Sequence, residues 1–168
     1  MRIVLSLILL SLAVVMDIRS RKISNRLILT GLTIGFLIQT AEFGWKGAGV
    51  FLINVSIPII LCYLLFLMRA LGAGDIKLFS VVGSIWNVKI LFATIIASFL
   101  TAAFLSLCKL LYHGNLISRL CVFGKYVRQA AAAGRLLRYP AGPQEKQYTI
   151  HFSISILIGY LIALEVAY

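Results

Sequence analysis

The sequence predicts an all-α, polytopic membrane protein of about six transmembrane helices with both termini on the outer side. Three observations predict it. First, 61% of the 168 residues are hydrophobic and 12% are charged, with a mean hydropathy of +1.02. A soluble domain is typically about 45–50% apolar and about 25% charged. Second, the apolar residues gather into runs long enough to be membrane spans, parted by short charged breaks. Third, the basic residues fall unevenly over those breaks. No repeat, low-complexity tract or linker divides the chain, so residues 1–168 read as a single membrane-embedded domain.

The candidate spans are Ile3–Met16, Leu27–Ala41, Ala48–Met68, Leu78–Val88, Ile90–Cys108 and Tyr148–Tyr168. A straight helix needs about 20 residues to cross the hydrocarbon core. The third, fifth and sixth runs have that length, and the first two borrow flanking residues. Leu78–Val88 reaches only about 17 Å at about 1.5 Å per residue. It spans only where its ends sit in protein or the bilayer thins. The opening run also has the shape of a signal peptide, with Arg2 as its basic start. Its small-residue cleavage pattern is poor, since Val15-Met16-Asp17 follows Ala13, so a retained helix is the reading.

The breaks alternate in charge. Residues 17–26 hold Arg19, Arg21, Lys22 and Arg26, and residues 69–77 hold Arg69 and Lys77. Residues 109–147 hold seven basic residues, from Lys109 to Lys146. The other set holds only Arg2, Lys46 and Lys89. The richer set is therefore placed in the cytoplasm. One bent span over residues 78–108 would put the seven outside, so the break at Trp86–Lys89 is read as a true turn. The stretch 113–147 reads as basic amphipathic helix along the anionic inner leaflet, closed by the turn-rich Tyr139–Pro143.

The net charge of +11 raises nucleic-acid binding, but loop Lys and Arg in a membrane protein account for it. The expected surroundings are lipid, with no nucleic-acid partner. Cys62, Cys108 and Cys121 show no metal or redox spacing. His113 and His151 sit in no ligand or triad pattern, and are read as structural or interfacial. No metal site and no cofactor are expected.

The acids are Asp17, Glu42, Asp75, Glu145 and Glu165. Asp17 ends the first span and Asp75 begins the fourth, so the topology sets both at the cytoplasmic face. Glu42 and Glu165 fall on the other side. Each aspartate has an ordinary alternative: Asp75 as a helix N-cap, Asp17 as an i,i+4 partner of Arg21. An acid near a helix C-terminus nevertheless faces the unfavourable end of the dipole, and boundary acids in membranes are functional candidates. Two carboxylates at close range share a proton. The ionised one takes a proton from water and the protonated one polarises a carbonyl. Gly72 and Gly74 permit φ > 0 and close backbone approach before Asp75, which leaves room for an extended peptide. A loop turn explains that short pattern equally well.

"GAGDIKL" at 72–78 resembles the G-x-G-D signature of type IV prepilin peptidases, including Lys77. "DIRSRKISN" at 17–25 resembles the family's other aspartate segment, with Arg21, Ile23 and Asn25 at matching spacing, and "IHFSISILIG" at 150–159 its last-helix motif. The resemblance implies an integral aspartic endopeptidase of the bacterial cytoplasmic membrane with Asp17 and Asp75 as its catalytic pair. Such enzymes cleave basic leaders from prepilins and pseudopilins on the cytoplasmic side, after a Gly. Gly72, Gly74 and Lys77 are then expected along the substrate channel, Lys77 adding positive potential or snorkelling to the headgroups. Arg21 and Asn25 are expected to orient the Asp17 loop. Ser24 and His151 stand where the family often has Pro, which bears on substrate preference. The paired Cys-x-x-Cys region of long members is absent, which implies the short form without N-methylation, a form that often serves tight-adherence pili. A small proton-coupled carrier and an inactive pilus-assembly scaffold are the rival classes.

Overall fold

Lipid tails are as apolar as leucine, so helices in a bilayer associate through close packing and polar contacts rather than hydrophobic drive. The computed structural model describes residues 1–68, 70–112, 128 and 151–167. Among them the chain is helical: α1 (Arg2–Ser20), α2 (Asn25–Phe43), α3 (Trp45–Leu67), α4 (Ala73–Ile85), α5 (Val88–Tyr112) and α6 (Phe152–Ala167). α1, α2, α3 and residues 88–109 of α5 are long and apolar enough to cross a membrane. α4 and α6 are shorter, at 13 and 16 residues. Two helices, not one bent span, therefore occupy residues 78–108.

Two compact units divide the chain: Met1–Thr101 with His151–Tyr168, and Ala102–Ile150. In the second unit the described residues are the end of α5 and Arg128. The basic stretch expected along the membrane, residues 113–147, otherwise lies outside the described residues, as do His113, Cys121 and the expected start of the last span at Tyr148.

The ends of the helices follow from their residues. α1 stops at Arg21, in the left-handed region at φ 52°, whose N–H bonds to the Asp17 carbonyl at 2.8 Å. Ser24 starts α2 by accepting the Arg26 N–H on its hydroxyl. Gly44 parts α2 from α3 at φ 57°, ψ −139°, which a side chain rarely permits.

α4 lies at the centre. From Ile76 to Trp86 every residue except Lys77 is buried, so this short helix is surrounded by protein, the condition its length imposes. Glycines let its neighbours in. A Cβ on Gly31 of α2 would stand 2.7 Å from a Val81 methyl, and one on Gly35 would overlap Ser84. In α3, Pro58 has no N–H to give the Asn54 carbonyl. Gly83 of α4 fits against that carbonyl, where a Cβ would lie 2.7 Å away.

Polar groups close the far end of α4. The Trp86 carbonyl accepts from the Asn54 amide at 3.2 Å and the Gln39 amide at 3.4 Å, and the Trp86 indole N–H donates to Ser6 of α1 at 3.0 Å. Asn87 then caps α5 by accepting the Ile90 N–H. Phe79 packs on both Phe99 and Phe152, which joins α4 to α5 and α6.

These contacts make Gly35→Ala destabilising by about 1–3 kcal/mol, the usual range for overpacking. Gly49 has open space around its Cβ position. Gly49→Ala should be neutral or stabilising by up to about 1 kcal/mol through helix propensity. Unfolding midpoints of the two purified variants in detergent check the contrast.

Candidate active site

A carboxylate among apolar helices needs donors from protein, because lipid supplies none. Asp17 lies in the last turn of α1, whose dipole opposes its charge. The start of α6 answers that. Ser153 Oγ donates to Asp17 Oδ2 at 2.6 Å, and His151 Nδ1 lies 3.2 Å from the same oxygen. His151 directly precedes α6 and Ser153 is its second residue, so the positive end of one helix faces the acid that the other disfavours. Asp17 keeps 17% of its side-chain surface exposed.

Asp75 is the third residue of α4. Its Oδ2 accepts the Gly72 N–H at 3.3 Å, while the Gly72 carbonyl accepts from the Asp75 N–H at 3.2 Å. The acid thus closes the helix from its third position, its carboxylate accepting the N–H of the N-cap residue Gly72. Burial and the Gly72 N–H act most on Asp75, and Asp17, 58 positions away in sequence, lies close enough to add a smaller electrostatic influence.

Two further contacts tie the segments that carry these acids. Lys77 Nζ donates to Asn25 Oδ1 at 2.8 Å. Ile23 packs where a Cβ on Gly74 would come within 3.2 Å of its Cδ1. Gly72 at φ −80° and helical Gly74 do not use the left-handed region. Their value is close approach: a Cβ on Gly72 would sit 3.1 Å from the Asp75 carboxylate. An apolar groove of about 520 Å³, lined by Phe66, Leu67, Ala70, Leu71 and Gly72, opens beside this cap.

Asp17, Asn25, Gly72, Gly74, Asp75 and Lys77 thus converge as a set. Arg21 contributes a backbone N–H to the Asp17 carbonyl and is exposed. The side-chain partner of Asp17 is His151, not Arg21. His151, read from sequence as structural or interfacial, is therefore a direct neighbour of the candidate dyad, and Ser153 had not been singled out. The available signal was polar residues at the start of an otherwise apolar helix. Glu42 pairs with Arg2. Among the described residues no cluster of three or more His, Cys, Asp or Glu is arranged to hold a metal ion.

The model of the type IV leader peptidase family matches residues 3–107, which include both aspartates. No curated protein and no solved structure matches the chain.

The Lys77–Asn25 bond predicts a measurable coupling. Because both residues are exposed, a double-mutant cycle with Lys77→Met and Asn25→Ala should return about 0.2–1 kcal/mol, the range of exposed charged contacts. Thermal unfolding of the two single variants and the double variant measures it.

Proposed function

This chain belongs to the type IV leader peptidase family, and we propose that it is an aspartic endopeptidase whose catalytic pair is Asp17 and Asp75. The observation that carries this reading is that the segments bearing the two acids, far apart in sequence, meet at one end of the bundle through the Lys77–Asn25 bond and the Ile23–Gly74 contact. Both carboxyl-bearing residues are only partly buried.

The chemistry follows from two carboxyl groups holding one proton between them. The ionised carboxylate takes a proton from water as the water oxygen bonds to the scissile carbonyl carbon. The protonated carboxyl donates to the carbonyl oxygen and stabilises the charge that develops there. Collapse of the tetrahedral intermediate breaks the C–N bond, and a proton passes to the leaving amine. The products are a carboxylic acid and an amine, and the pair again holds one proton. Its titration belongs to the pair and not to either residue.

The substrate in this reading is a prepilin or pseudopilin, cut after a Gly between its basic leader and its apolar helix. The groove beside Gly72 suits the apolar side of that junction. The charge asymmetry of the loops supports cleavage at the cytoplasmic face of a bacterial inner membrane. Lys77 is held by Asn25, so it braces the two aspartate segments while adding positive potential nearby.

In membranes with a co-expressed prepilin-type substrate, the wild type is expected to release the leader. Asp17→Asn and Asp75→Asn should each lower kcat by about 10,000-fold, the scale for removing one member of a catalytic unit, at unchanged expression. Processing by either variant at the wild-type rate would contradict the dyad.

A further inference from the structure

We propose that Ser153 and His151 are positioning residues that hold the carboxylate of Asp17 in its reactive orientation. The proposal rests on the peptidase reading above and extends it to a part of the chain beyond the family match at 3–107.

Both contacts fall on one oxygen. Ser153 Oγ donates to Asp17 Oδ2 at 2.6 Å, and His151 Nδ1 donates there, at 3.2 Å, when that nitrogen carries the proton. With Oδ2 taken, Oδ1 is left to accept from water. Two anchors on a single oxygen fix both torsions of the side chain, so the plane of the carboxylate is set by α6 and not by α1.

The anchors differ in kind. Ser153 is 1% exposed, so turning Asp17 away would strand a buried hydroxyl, at the cost that attends an unpaired polar group. His151 keeps 27% of its side-chain surface exposed and adjusts more readily. Ser153 is therefore the stronger anchor. Phe152, between them, packs on Phe79 of α4 and Phe99 of α5. The two donors thus stand on a turn that aromatic packing joins to the helix carrying Asp75. The register of α6 against α4 fixes the donors on one acid relative to the other.

The test measures kcat and KM for leader cleavage by purified full-length protein in lipid vesicles. Ser153→Ala is expected to lower kcat about 10- to 100-fold, the weight of a hydrogen bond to a charged group, with KM nearly unchanged. Ser153→Thr, which keeps the hydroxyl, should restore most of it. His151→Phe should give a smaller loss in kcat, and His151→Asn, whose amide N–H can replace Nδ1–H, should recover it. Unfolding midpoints accompany each variant, so a loss that tracks unfolding and not kcat per folded molecule overturns the proposal. Wild-type kcat in Ser153→Ala, beside an inactive Asp17→Asn, overturns the positioning role alone. A silent wild type, or cleavage that survives Asp17→Asn, overturns the peptidase reading and this role with it.

Discussion

The close approach of α4 to its neighbours is the constraint on which the rest depends. A helix of 13 residues is too short to cross a bilayer on its own, so its ends must be satisfied by protein. Gln39 and Asn54 supply amide donors at the Trp86 end. At the other end the carboxylate of Asp75 supplies an acceptor for the Gly72 N–H. The group that closes the helix is thus also the one proposed for chemistry. The glycines at 31, 35 and 83 set how near α2 and α3 come, and with that distance they set where Asp75 stands.

Asp17 meets the opposite electrostatic problem. It lies where the dipole of α1 disfavours a negative charge, and the start of α6 offsets that with a hydroxyl and an imidazole. The acids are therefore held by unlike means, one by its own helix and one by a partner helix. Such an asymmetry suits the proposed pair, in which one group would carry the proton and the other the charge. Lys77 and Ile23 lock the carrier segments together without touching either carboxylate, so the site is braced from outside its reacting atoms.

Much of the fold was legible because it follows from composition. Apolar runs and charged breaks located the helices to within a few residues, and the break at Trp86–Asn87 separates α4 from α5 as the charge pattern required. The two aspartates stood out because acids are rare in such a chain. The partner of Asp17 was not legible: Arg21 stood at the right helical spacing, while His151 lies 134 residues away. Spacing along one helix reads i,i+4 pairs well, but it does not report which helix end lies opposite. For the glycines of the G-x-G-D segment the sequence allows both a positive φ and a close approach, and the structure shows the second. A turn and a tight packing contact call for the same residue, and only the backbone angles tell them apart.

Crosslinking tests, without any substrate, whether Asp17 and Asp75 stand together as one unit. In a protein whose native cysteines are replaced, Asp17→Cys with Asp75→Cys should be joined by a short thiol-to-thiol crosslinker in native membranes. Asn25→Cys with Lys77→Cys serves as the positive control. Asp17→Cys with Glu42→Cys should stay unjoined, since Glu42 pairs with Arg2 at the start of α1 and Asp17 stands at its end. Efficient joining of the first pair is the expected outcome. Joining of the control pair alone would contradict it, because the two carboxylates would then be too far apart to share a proton.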